Sequence, residues 1–259
     1  MTLQKPIVLI VLDGWGILDE TENNAIALAN TPFYDKLWET YPHAVLDASE
    51  EKVGLPTGQM GNSEIGHMTI GAGKTIDTDL VRIAKAIRDK TWDENPAFTE
   101  LFDHVKQHNS TLHIQGLVSP GGVHSHSSHL YAFLDSAKNA GITNVIIHAF
   151  TDGRDTPPQS AASYLKELED VIEKVGIGFI ATAAGRFYAM DRDNNWDRLQ
   201  KAEDALFSCK GKICELKKPS QVFEELYKEG VLDEHTEPLV FLDENGKSYP
   251  IKENDGVFF

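Results

Sequence analysis

The sequence predicts an α/β fold built on parallel strands, and three observations carry that reading. Apolar runs at residues 112–118, 145–150 and 177–183 are separated by stretches of helical periodicity. A further β-branched run, residues 6–12, lies near the start and is ended by Asp13-Gly-Trp-Gly. Each run leads into a loop rich in Gly, Asp, Arg or His, and α/β proteins gather their chemistry at the carboxyl ends of strands.

Taken in chain order, residues 6–12 read as a buried strand that delivers Asp13 at its carboxyl end. A helical stretch over 25–39 follows, then a short strand around 44–48 and a glycine-rich region over 54–73. Residues 75–109 carry a helical pattern. The second series is a strand over 112–118, a helix near 128–139, a strand over 145–150, a helix near 160–175 and a strand over 177–183. Residues 196–259 read as helices and short strands. The layout predicts two domains, residues 1–76 and 77–259. Asp255-Gly-Val-Phe-Phe259 reads as a turn and the opening of a buried strand, so the chain is expected to be cut from a longer protein.

Composition narrows the function classes. A formal charge of -16, from 40 acidic and 24 basic residues, opposes binding to a phosphate backbone, so nucleic acid is excluded as a partner. The first apolar run is too short for a signal sequence or a membrane span, which predicts a cytoplasmic protein with no membrane partner. Cys209 and Cys214 supply neither a disulfide framework nor a complete zinc set and read as ordinary thiols.

Against this acidic background, arginines gathered locally are informative. The three loops of the second series hold His124, Arg154 with Asp155, and Arg186 with Arg192, and parallel strands would bring them to one crevice. Arginine grips phosphate or carboxylate through its planar fork, and a ligand with both groups would use all three. Asp155 would accept from a hydroxyl, and His124 would donate to an anion or move a proton. The plainer reading, surface arginines paired to nearby aspartates, suits any one of them but explains the three loops together less well. His124, His126 and His129 also resemble a metal set, but capping near a helix start is the favoured role for the latter two.

The glycine-rich region contains Pro56-Thr-Gly-Gln-Met-Gly-Asn-Ser63-Glu-Ile-Gly-His67. A serine at a helix start, near exposed backbone N–H groups, suits transient phosphorylation; simple helix capping is the competing reading. Asp13 is its natural companion, because a divalent cation on this carboxylate would help to ionise the serine.

Five segments together resemble the cofactor-independent phosphoglycerate mutases: Leu12-Asp-Gly-Trp-Gly16, the Ser63 segment, Gly122-Val-His-Ser-His126, Thr151-Asp-Gly-Arg-Asp-Thr-Pro-Pro158 and Gly185-Arg-Phe-Tyr-Ala-Met-Asp-Arg192. The resemblance implies an isomerase of glycolysis and gluconeogenesis that interconverts 3- and 2-phosphoglycerate through a phosphoserine. It implies an alkaline-phosphatase-like domain, incomplete here, with two divalent metals, usually manganese, and an inserted α/β substrate-binding domain. Asp13 and Ser63 would be metal ligands and Ser63 the nucleophile. His124, Arg154, Asp155, Arg186 and Arg192 would hold the substrate, with no bisphosphoglycerate needed and a monomer as the working state. Family members are longer by a second half carrying most metal ligands, so this chain alone is not expected to be fully active. The alternatives are a metal-dependent phosphatase or phosphopentomutase, and a noncatalytic phosphoglycerate-binding module.

Overall fold

The structure, a computed structural model, describes residues 6–215 and 217–259. The chain divides into two compact units, Met1–Val81 and Arg82–Phe259. No helix among the described residues is long and apolar enough to cross a membrane.

The first unit holds α1 (Ala25–Leu28), α2 (Pro32–Thr40) and α3 (Ser63–Ala72), and α4 (Asp79–Arg88) begins in it. The single helix expected over 25–39 is two. Asn24 caps α1 through its side chain, and Pro32 opens α2, which forces the residue before it out of helical geometry. Neither strand expected in this unit forms. Residues 7–12 are without strand pairing and their apolar side chains are exposed, Ile7 by 98% and Val8 by 75%. Residues 44–48 are likewise unpaired. A strand exists only through a neighbour's backbone, and no described residue supplies one to either segment.

The second unit is the expected α/β layer. Its elements run α5 (Pro96–His108), β1 (Leu112–Leu117), α6 (Ser127–Asn139), β2 (Val145–Thr151), α7 (Ala161–Val175), β3 (Phe179–Gly185), α8 (Arg186–Ala189), α9 (Trp196–Ser208), β4 (Lys212–Cys214), α10 (Pro219–Lys228), β5 (Leu239–Phe241) and β6 (Gly256–Phe258). The sheet order is β4-β5-β3-β2-β1-β6. All neighbours are parallel except β3 and β5, which run antiparallel. Residues 256–258 thus form the strand that the turn at Asp255-Gly256 predicts. Phe258 stacks on Phe133 of α6 at 3.7 Å between ring centroids, and Phe98 of α5 meets both edge-on. This aromatic cluster anchors β6 to the core.

Every residue of β2 is buried. Such a strand tolerates polar side chains only when each is satisfied, and His148 meets that demand through a string that crosses four strands' worth of structure. Its Nε2 lies 2.9 Å from His113 Nδ1 on β1, its Nδ1 lies 2.9 Å from Thr182 Oγ1 on β3, and His113 Nε2 lies 3.2 Å from Asp255 Oδ2 just before β6. A carboxylate only accepts, so with both imidazoles neutral one proton order satisfies all three contacts. Thr182 donates to His148, His148 donates to His113, and His113 donates to Asp255.

Burial, reinforced by the neighbouring His113, pulls His148 down to about 3. Burial also lowers His113, against the attraction of Asp255. Once unfolded, both take up a proton near pH 6.5, so below that pH the unfolded chain binds more protons and stability falls with pH. The urea midpoint is therefore expected to hold above pH 7 and to decline from 6.5 towards 4, by up to about 1.4 kcal/mol per pH unit for each proton. Replacing His148→Gln removes one titrating group, and an undiminished slope in that variant would show that the string is not its source.

Candidate functional site

The first locus lies within the first unit. Ser63 opens α3, whose cap is Asn62, the acceptor of a 3.0 Å bond from the Ile65 N–H. Ser63 Oγ donates to Asp13 Oδ2 at 2.8 Å, although the two lie 50 positions apart in sequence. His67, one turn along α3, places Nδ1 3.2 Å from that hydroxyl and 2.8 Å from the Ser63 carbonyl oxygen. Gly61 has a reason for its identity: a Cβ there would overlap the Ala48 carbonyl oxygen. Asp13 and Ser63 are two hard oxygen donors at an exposed position, and they fit part of a divalent-cation shell. No group of three or more His, Cys, Asp or Glu side chains able to hold a metal occurs among the described residues. His126 instead caps α6, with its ring nitrogen 3.3 Å from the Ser128 N–H.

The second locus lies in the second unit, where β1, β2 and β3 are adjacent and parallel, so the loops after them share one end of the sheet. Asp152, directly after β2, is 1% exposed and accepts four hydrogen bonds. Ser119 Oγ reaches Oδ2 at 2.7 Å, and Oδ1 takes the backbone N–H groups of Arg154 at 3.2 Å and Asp155 at 3.0 Å with Arg186 Nη1 at 2.8 Å. The same Nη1 also donates to Asp155 Oδ2 at 2.7 Å. His124 Nε2 is 3.7 Å from that oxygen. Arg154 is exposed and its Nη1 lies 3.7 Å from Glu234 Oε1. Arg192 is exposed in the loop beyond α8. That loop is shaped by its neighbour Asp191, which accepts from the N–H groups of Asp193 and Asn195.

His124 and Arg186 both approach Asp155, Arg154 is joined to this group through the backbone of its loop, and Arg192 has no hydrogen bond or ion pair with any of them. The expected gathering of positive charge is offset by carboxylates: Arg186 is paired with Asp152 and Asp155, and Arg154 lies beside Glu234. A guanidinium as buried as that of Arg186, at 10% exposure, requires a counter-charge inside the protein. Burial alone would raise the Asp152 pKa, yet the bonds from Ser119, the Asp155 N–H, Arg186 and the Arg154 N–H hold it below the usual carboxylate range. Burial likewise disfavours the Arg186 cation, and the two aspartates more than offset this.

Sequence reasoning did not find the fourth segment at this end, the single turn Asp233–His235. Asp233 is fully buried and accepts at 2.8 Å from the N–H groups of both Ser160 and Ala161, so it caps α7 from a distant part of the chain. Its other oxygen takes the Tyr227 hydroxyl at 2.6 Å, and its carbonyl takes the Thr151 hydroxyl at 2.8 Å. Gly185 passes so close to this turn that a Cβ would overlap the Glu234 carbonyl oxygen. No local pattern marks these residues, because, Tyr227 apart, the partners of Asp233 named here lie more than seventy positions away.

The profile of one protein family, described as the BPG-independent PGAM N-terminus, matches residues 83–259. The chain belongs to this family. The match contains the Asp152 locus and stops short of Asp13 and Ser63. Curated relatives named 2,3-bisphosphoglycerate-independent phosphoglycerate mutase extend over the whole chain. That of Moorella thermoacetica is 46% identical over 259 residues, and that of Francisella philomiragia 43% identical over 258. The chain spans 50% of the length of each and thus corresponds to about half of these mutases. Among solved structures, phosphoglycerate mutase of Leishmania mexicana at low cobalt concentration superposes with a TM-score of 0.72 at 31% identity, over 90% of this chain and 44% of that one.

Within the family's α/β unit, Asp233 is expected to be a stability residue. Changing Asp233→Ala leaves the α7 N–H groups and the Tyr227 hydroxyl without an acceptor and should lower the unfolding free energy by about 3 kcal/mol. Tyr227→Phe should cost only about 1 kcal/mol. Equal losses in urea titrations of the two variants would overturn this ranking.

Proposed function

We propose that this chain is the substrate-gripping and phosphoryl-accepting half of an isomerase that interconverts 3- and 2-phosphoglycerate through a phosphoserine at Ser63. The observation that carries the reading is Arg186, partly buried and held by two carboxylates through Nη1. The other edge of its fork, Nη2 and Nε, is left to grip a carboxylate or phosphate in a fixed orientation. His124 and the exposed Arg154 and Arg192 would supply the remaining positive charge, and Asp155 would accept from a substrate hydroxyl. Residues 82–259 are then the transferase domain, and the first unit is part of a phosphatase-like domain.

The Ser63 hydroxyl already donates to Asp13, which orients Oγ and favours its ionisation as it attacks phosphorus. The serine proton passes to Asp13 as Oγ bonds to phosphorus, the substrate's P–O bond breaks, glycerate keeps that oxygen and takes up the proton that serine released, and the phosphoryl group rests on Ser63 at the α3 N-terminus, which favours its negative charge. Return of the phosphoryl group to the other glycerate hydroxyl regenerates serine, so no bisphosphoglycerate is consumed. Two divalent ions, manganese by resemblance, would supply charge neutralisation and lower the serine pKa, with Asp13 and Ser63 among their ligands. Other ligands would come from the half of the relatives that this chain does not span. A cytoplasmic, monomeric enzyme acting on a small molecule fits this chemistry.

Titration calorimetry with 3-phosphoglycerate tests the reading. Arg186→Ala is expected to weaken binding by about 2 kcal/mol, roughly thirtyfold, whereas Ser63→Ala should leave it unchanged. Binding indifferent to Arg186 would remove the second-unit site. In a chain extended to the relatives' full length, phosphate release without exchange between the two isomers would favour the phosphatase alternative.

A further inference from the structure

We infer that Asp152 is a positioning residue: by accepting from Ser119, from the loop after β2 and from Arg186 at once, it sets the direction in which Arg186 presents its fork to the phosphoglycerate. The inference rests on the proposed function of this site and names the device that makes Arg186 effective.

Three features single out Asp152. It is almost wholly buried, so it cannot itself contact a ligand, unlike Asp155 at 16% exposure. It joins all three loops, through Ser119 after β1, through two N–H groups of its own loop and through Arg186 after β3. Both of its oxygens are committed: Oδ2 takes the Ser119 hydroxyl, and Oδ1 takes the two backbone groups and the guanidinium. Gly121 leaves room for this arrangement, because a Cβ there would press at 3.2 Å on Asp152 Oδ2, the Asp155 Cβ and Ser119 Oγ together.

Two accounts of Asp152 give effects of opposite sign. As a mere negative charge beside an anion site, it would repel phosphate, and neutralising it would tighten binding. As a positioning group it holds a long, otherwise mobile side chain in the binding geometry, and neutralising it would weaken binding, because Arg186 would then have to be ordered by the ligand itself. Asp152→Asn keeps size and an oxygen for the backbone N–H groups but removes the charge opposite Arg186. The geometry therefore separates the accounts by the direction of one measurement.

The test has two readouts. In the ligand-free chain, nitrogen-detected or 15N-correlated NMR of the Arg186 side chain should show separate, slowly exchanging Nη signals in the wild type and averaged ones in Asp152→Asn. By calorimetry, 3-phosphoglycerate should bind Asp152→Asn at least about tenfold more weakly, with a smaller loss in the same direction for Ser119→Ala, which keeps the charge and removes one brace. Unchanged Arg186 signals, or binding that tightens in Asp152→Asn, overturn the inference. If Asp152→Asn does not fold, Ser119→Ala carries the test, and Arg186 signals as slow as in the wild type then overturn it. A wild-type chain that shows slow Arg186 signals but does not bind 3-phosphoglycerate refutes the proposed function of the site and leaves the bracing of Arg186 established.

Discussion

The strand β2 lies wholly out of water, and with the residue that follows it carries three polar side chains that must find partners inside the protein: His148, Thr151 and Asp152. Much of the second unit follows from that demand. Leaving any one unpaired would cost about 1–3 kcal/mol, a large share of the margin by which a domain is stable. His148 recruits His113 and Thr182 from the two flanking strands, Thr151 recruits the Asp233 carbonyl, and Asp152 recruits Ser119 and Arg186. The dry strand thus dictates which distant residues come together at both of its ends.

At one end the outcome is structural, since the imidazole string ties Asp255 and the start of β6 to the sheet. At the other the outcome bears on chemistry. An arginine free in solvent attracts anions only weakly and without orienting them. Arg186 gives up one nitrogen to two aspartates, which offset its charge. On the proposed function, recognition there would depend on geometry more than on attraction.

The first unit obeys a different constraint. Its Ser63 hydroxyl donates to Asp13, while residues 7–12 expose a run of apolar side chains and pair with no described strand. Helices in that unit form because their hydrogen bonds are local and their caps, Asn24 and Asn62, are encoded beside them. Strand pairing is nonlocal, and a β-branched run alone does not supply it.

The sequence by itself determined the alternation of apolar runs and helices in the second unit, the loops that carry His124, Arg154, Asp155, Arg186 and Arg192, and the Ser63 segment. These are legible because burial imposes periodicity and because turn glycines sit beside the residues they serve. Only the tertiary structure decided that Asp152, a member of a loop already conspicuous, is its buried centre, and that Asp233 and Glu234 join the site from a helical turn elsewhere. It also decided that Arg186 is paired and not free. The physical reason is the same in each case: a polar group's partner is chosen by where the fold removes water, and that is a property of packed strands that no stretch of sequence carries alone.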